Sequence, residues 1–304
     1  TFVRTLTAIT TVACIQPAPS LAQSDGTTGL VVMIVVDQLG GDLVDRYEPA
    51  LTAGGFRRFL DQGYRFTQAS HAHAMPETAA GHATLATGVF PSRHGVVSNQ
   101  WRQRAGFDWL TMYSAGDAEH PILGHEDDTS LEGRSPKNLL REGLADWVRA
   151  ADPEARTVSI SKKDRAAVVM AGQTTSNAWW MLDQIATFVT STYYADRYPT
   201  WMTRFNQDVM PGFVSNPIWL SEVPQDMRSL AEEDAQEYEV GRRDLSVFPH
   251  RGVDEAGPVG SEEFNIWAFD TPRADDAVLE LAKTAIVQLE LGQRGRTDFL
   301  AISF

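Results

Sequence analysis

The segment Met75-Pro76-Glu77-Thr78-Ala79-Ala80-Gly81-His82-Ala83-Thr84 carries the residue best placed to do chemistry. Thr78 follows a proline that can open a helix, so it is expected in the first helical turn. Free backbone N–H groups there stabilise an anion, whether an alkoxide or a phosphoryl oxygen. Ala79, Ala80 and Gly81 are small, so a substrate is expected to approach closely. A threonine hydroxyl is a weak nucleophile until a base or a metal activates it. No histidine stands beside Thr78 in a triad-like order, which leaves a metal as the better activator. Asp37 suits that role, because a carboxylate is a hard ligand for a divalent cation. The plainer alternatives stay open: Thr78 at an ordinary helix start, and Asp37 as a helix cap or turn residue.

Two further segments supply groups for oxygen anions. Asn99, in Gly95-Val96-Val97-Ser98-Asn99, offers an amide donor, though alone such a residue is most often part of a turn. Ser159-Ile160-Ser161-Lys162-Lys163-Asp164-Arg165 places basic groups directly after an apolar run. Arg165 can grip two oxygens of a phosphoryl group, and Lys163 acts as a point charge. A solvated surface patch is the competing reading. Of seven histidines, His71, His73 and His82 read as structural or supporting groups rather than ligands. His120 and His125 fall in a polar loop without ligand spacing.

These groups need elements to hold them. Leu30 to Val36 is a continuous apolar, β-branched run ending at Asp37, the pattern of a parallel strand buried on both faces. Open α/β folds gather ligands at the carboxyl ends of such strands. Gly54 to Gly63 brackets a short helix, and Pro76 to Thr87 reads as another. Lys137 to Ala150 is expected as an amphipathic helix through Leu139, Leu140, Leu144, Trp147 and Val148, and Asp275 to Leu291 as a second, closed by Gly292. Thr157 to Ser161 and Thr297 to Phe304 read as strands. Residues 174–265 are rich in aromatics and broken by Pro and Gly. They are expected to form an insertion or cap on the core, their rings serving packing. The fold class is therefore α/β, with a mainly parallel central sheet and helices on both faces.

Composition sets the setting. The net charge is -14, which argues against binding nucleic acid or anionic membranes and requires any phosphate site to be locally basic or metal-loaded. Arg4, the apolar run Leu6 to Ile15 and Ser20-Leu21-Ala22 read as an export signal over residues 1–22, too short for a stable membrane span. Residues 23–304 would then be the mature part, in a periplasmic or secreted protein. Cys14 is the only cysteine and lies inside that signal. Thr11-Val12-Ala13-Cys14 faintly resembles a lipoprotein cleavage box, with simple secretion the better fit.

Taken together, Asp37 after Val-Val-Met-Ile-Val-Val, Pro-Glu-Thr-Ala-Ala-Gly-His-Ala-Thr-Leu-Ala-Thr-Gly and His-Gly-Val-Val-Ser-Asn resemble the type I phosphodiesterase and nucleotide pyrophosphatase branch of the alkaline phosphatase superfamily. Lys163-Asp164-Arg165 narrows the resemblance to the PafA-type alkaline phosphatases, as do Ser191-Thr192-Tyr193-Tyr194, Pro199-Thr200-Trp201 and Asp298 to Phe304. The resemblance covers roughly residues 29 to 304. It implies hydrolysis of small-molecule phosphate monoesters at a two-zinc site through a covalent phosphothreonine. It implies Thr78 as nucleophile and metal contact, Asp37 as a zinc ligand, and Asn99, Lys163 and Arg165 as holders of the phosphoryl oxygens. Diesterases of this branch generally lack the Lys/Arg pair. The family's remaining ligands, an Asp-x-x-x-His motif, an Asp-His pair and a late His, are not found here. The chain also stops on a strand. Both lead us to expect the N-terminal part of a longer catalytic domain, inactive on its own. A phosphodiesterase or nucleotide pyrophosphatase, and an inactive phosphate-binding fragment, are the alternatives.

Overall fold

The computed structural model describes residues 28–174, 177–236 and 246–304. The expected export signal, with Cys14, lies outside the described residues. The strands are Leu30–Val35 (β1), Gln100–Ala105 (β2), Asp108–Tyr113 (β3), Thr157–Ser161 (β4), Asn177–Leu182 (β5), Thr187–Val189 (β6), Ile218–Trp219 (β7), His250–Arg251 (β8) and Asp298–Ser303 (β9). The longer helices are Gly55–Gln62 (α1), Thr78–Thr87 (α2), Leu144–Ala151 (α3), Asp164–Ala171 (α4), Glu262–Phe269 (α5) and Arg273–Gln288 (α6).

Five strands form the main sheet in the order β1-β9-β4-β5-β6. The first four are parallel, and β6 pairs antiparallel to β5 at the edge. Alternate residues of a strand point to opposite faces, so each strand here feeds two cores. Val158, Ile160, Trp179, Met181, Leu300 and Ile302 face α6, where Ala277, Val278 and Leu281 are buried against them. On the other face Phe299 and Ala301 meet Ala86 of α2, Ala145 of α3 and Met170 of α4. Ala178, Trp180 and Val189 continue that face against Ala167 and Val168. The architecture is thus the expected α/β sheet with helices on both faces.

Three local expectations are corrected. β1 is not buried on both faces: among the described residues it pairs only with β9, and Val31, Val32 and Ile34 are exposed. The strands buried throughout are β9, held between β1 and β4, and β4, held between β9 and β5. The helix expected from Lys137 begins only at Leu144. Gly143 sits in extended conformation and donates its N–H to Asp146 Oδ2 at 2.8 Å, which caps α3 and stops it extending backwards. Residues 137–143 form a turn at 137–138 and irregular backbone after it, with Leu140 N–H donating to the His94 carbonyl. Finally, the aromatic stretch from 174 starts inside the core. β5 and β6 belong to the main sheet, and Trp179 and Phe188 are buried in it. Their rings pack as expected, Trp179 against Tyr198 and Trp201, and Phe188 against Phe205.

Candidate active site

The site lies beyond the carboxyl ends of the parallel strands, where the loops after β1 and β4 come together. Asp37 follows β1, and its N–H donates to the Phe304 carbonyl beyond β9 at 2.8 Å, which fixes the loop. Glu77, with extended backbone, caps the start of α2, so Thr78 is its first residue. Thr78 is 9% exposed, and its Oγ1 donates to Asp37 Oδ2 at 3.0 Å. Lys163 is the cap residue of α4, and Arg165 lies in that helix's first turn. Lys163 Nζ makes a short hydrogen bond and ion pair with the same oxygen, Asp37 Oδ2.

Burial alone would raise the Asp37 carboxyl. The bonds from Lys163 and Thr78 and the charge of Lys163 outweigh it and hold the group below its ordinary value. Asp37 is therefore ionised near neutrality.

Asn99 is placed by a clamp. Its Oδ1 accepts from the Ala79 N–H at 2.9 Å, and its own N–H donates to Glu77 Oε2 at 2.7 Å. Ser98 Oγ donates to that same Glu77 oxygen at 2.6 Å. These bonds keep Glu77 below the ordinary carboxyl value, the Ser98 bond foremost, with help from the Arg165 charge. Because Oδ1 is engaged, the donor end of the Asn99 amide is the end turned from α2.

Arg165 is held from behind. Asp164 Oδ1 accepts from Tyr113 Oη and from the Arg165 N–H, both at 2.6 Å, while Arg134 Nε binds Asp164 Oδ2. Arg165 Nη1 reaches Tyr113 Oη at 3.5 Å, and its buried Nε has no hydrogen-bond partner among the described residues. A buried donor without a partner is uncommon in folded proteins and is available to an incoming acceptor. Tyr113, Arg134, Lys163, Asp164, Arg165 and Trp180 are among the residues lining a cavity of about 630 Å³.

Of the residues named from the sequence, Asp37 bonds both Thr78 and Lys163, Asn99 joins through Ala79, and Arg165 shares a cavity with Lys163. Glu77, Ser98, Tyr113 and Arg134 were not singled out, for each supports the site through a contact far along the chain. His82 is the supporting group expected: Nδ1 meets the Thr78 carbonyl at 2.7 Å and Nε2 meets Ser303 Oγ at 2.8 Å. Burial pushes its pKa down, so it is a neutral strut.

Two details depart from expectation. The Ala79 N–H at the start of α2 is engaged by Asn99 rather than open to an anion. Ala79 and Ala80 are fully buried; Ala79 and Ala83 pack with Val96, Leu139 and Val169, so small side chains here let α2 approach α4.

A metal centre is not assembled by these residues alone. Asp37 and Thr78 offer one carboxylate and one hydroxyl. Among the described residues no group of three or more His, Cys, Asp or Glu could hold an ion. Sites for zinc usually need three or four protein ligands. His71 and His73 lie edge to face, 5.3 Å between ring centres, without a third partner of that kind.

Residues 31–300 match the family model described as type I phosphodiesterase / nucleotide pyrophosphatase. Alkaline phosphatase PhoV of Synechococcus elongatus is 31% identical over 295 residues, covering 96% of this chain and 52% of PhoV. The crystal structure of wild-type alkaline phosphatase PafA superposes with a TM-score of 0.82 at 29% identity, over 91% of this chain and 52% of that one. A PafA variant substituted at one threonine, one asparagine, one lysine and one arginine gives the same TM-score at 27% identity, over 91% of this chain and 53% of that one. The chain spans about half the length of the curated relatives it matches.

Proposed function

The chain belongs to the type I phosphodiesterase / nucleotide pyrophosphatase family, and from this we infer that the complete protein hydrolyses phosphate monoesters with Thr78 as its nucleophile. One observation carries the reading: the Thr78 hydroxyl and the Lys163 ammonium converge on one Asp37 oxygen at the ligand end of the sheet. The four residue types altered in the PafA variant are those of Thr78, Asn99, Lys163 and Arg165 here, which supports it.

In the proposed reaction Thr78 Oγ1 bonds to phosphorus, and the bond from phosphorus to the leaving oxygen breaks on the opposite side. The Thr78 proton already points at Asp37 Oδ2, which orients the oxygen for attack. As the bond to phosphorus forms, Asp37 Oδ2 takes the Thr78 proton and passes it to solvent, and the leaving oxygen gains a proton from solvent. Asn99, Lys163 and Arg165 hold the phosphoryl oxygens, which suits a loose transition state governed by position and charge. Water then attacks phosphorus: its oxygen stays on the released phosphate, one of its protons goes to solvent, and the bond to Thr78 Oγ1 breaks as Oγ1 regains a proton. The two zinc ions implied by the family would need ligands beyond Asp37 and Thr78, so no step is assigned to them here. Turnover of an aryl phosphate by full-length protein carrying Thr78→Ala tests the reading; wild-type rates would refute it.

The family model's own description favours diesters as a second reading. The Lys163/Arg165 pair speaks against it, because a monoester dianion carries one more charged oxygen to neutralise. Comparing kcat/KM for a monoester and a diester separates the two.

Export to the periplasm or medium, with cleavage after Ala22 and residues 23–304 as the mature catalytic part, is part of the same proposal. So is a capping role for the segment between β6 and α5. No described helix is long and apolar enough to cross a membrane. N-terminal sequencing of the protein recovered from cell fractions tests the export proposal.

A further inference from the structure

Glu77 has no place in the chemistry so far, yet it joins the two loops that the chemistry needs. It is the cap residue of α2, but its side chain does not cap the helix. Instead, one carboxylate oxygen, Oε2, accepts from Ser98 Oγ at 2.6 Å and from the Asn99 N–H at 2.7 Å. A third bond closes the ring: the Ala79 N–H donates to Asn99 Oδ1 at 2.9 Å. The nucleophile therefore sits between two residues that both grip Asn99, Glu77 before it and Ala79 after it.

The consequence is orientational. An asparagine amide has one acceptor end and one donor end. With Oδ1 held by Ala79, the Nδ2 end is the free one, and the Asn99 backbone cannot drift from Thr78 while Glu77 holds it. A donor helps a transition state only when it is placed in advance, and a misplacement of about 1 Å costs about a hundredfold.

We propose that Glu77 is a positioning residue of this site, which fixes the Asn99 amide as a phosphoryl-oxygen donor at a set distance from Thr78. The proposal rests on the phosphate-ester reading above. Both bonds fall on one oxygen, so a glutamine carbonyl can accept both, and the negative charge is not what positions Asn99.

The test uses full-length protein with Glu77→Ala, Glu77→Gln, Glu77→Asp, Asn99→Ala and the double variant Glu77→Ala/Asn99→Ala. It measures kcat/KM for an aryl phosphate, inhibition by inorganic phosphate, and melting temperature. Glu77→Ala should lower kcat/KM between about tenfold and a hundredfold, and weaken phosphate inhibition. Glu77→Gln should restore most of both. The double variant should fall no further than Asn99→Ala alone, because Glu77 acts through Asn99. If Glu77→Ala does not fold, Glu77→Asp serves in its place, since it keeps the charge but withdraws the carboxylate by one methylene. Wild-type activity in Glu77→Ala, multiplied losses in the double variant, or a Glu77→Gln as damaged as Glu77→Ala would each overturn the proposal. A harmless Asn99→Ala would instead strike the phosphate role of Asn99, and a harmless Thr78→Ala the reading beneath it.

Discussion

Lys163 and Asp37 stand 126 positions apart in the chain, and their side chains meet at a single carboxylate oxygen that Thr78 also addresses. The contact makes Asp37 the hinge of the site. It joins the strand-end carboxylate, the helix-start hydroxyl and the basic loop after β4. Four expectations follow from this arrangement and from the core beneath it.

Among the described residues Thr78 is the one hydroxyl oriented by Asp37, so Thr78→Ala in the full-length protein should lower turnover of an aryl phosphate by about 10³-fold or more. Thr78→Ser keeps an oxygen within reach of Asp37 and should retain measurable turnover. Steady-state kinetics on the two variants checks both.

The paired Lys163→Ala/Arg165→Ala variant should lose far more monoester than diester activity, about a hundredfold for the monoester. The reason is charge: the buried, unpartnered Nε of Arg165 and the Lys163 ammonium have most to offer a dianion. Equal losses on the two substrates would remove the basis for preferring monoesters.

Asp117 sets an acid limb for stability. Burial alone raises it, but bonds from Ser135, His120, the Glu119 N–H and Lys137 prevail and bring it down to about 2. A carboxyl whose folded pKa is depressed stabilises the fold above its unfolded pKa. That contribution is lost as pH falls from about 4 toward 2. Asp117→Asn should therefore flatten the fall of melting temperature with pH across that window.

Phe188 tests where the aromatic stretch belongs. It is fully buried in the core shared by β4, β5, β9 and α6. Phe188→Ala should cost about 3–5 kcal/mol of unfolding free energy, measured by urea denaturation. A segment packed apart from the sheet would leave the main transition in place.

Much of this was legible in the chain itself. The apolar run before Asp37, the Pro-Glu-Thr start of α2 and the basic cluster after β4 are local patterns, governed by neighbours within a turn or a strand. Local propensity and periodicity are enough to place Asp37, Thr78, Lys163 and Arg165 at strand ends and helix starts. What sequence could not show is which of them meet. The Lys137 run has helical spacing throughout, yet Gly143 and the side chain of Asp146 begin α3 seven residues late. The run before Asp37 reads as a buried strand, yet burial depends on what covers it, and in the described structure β4 and β9 are the enclosed strands. Trp179 and Trp180 follow each other in sequence and look alike there, but alternation along β5 sends them to opposite cores.

The sequence thus determined the chemical inventory: a threonine, a strand-end carboxylate and a basic pair, all in patterns set by short-range geometry. The tertiary structure decided their partners. Lys163 rests on Asp37, Asn99 is turned by Ala79 and held by Glu77, and Arg165 is steadied by Tyr113 and Asp164. Apart from the neighbouring Asp164 and Arg165, those contacts join residues 20 to 126 positions apart. Only the packing of α2 and α4 against the sheet, driven by burial of their small and apolar faces, sets such distances.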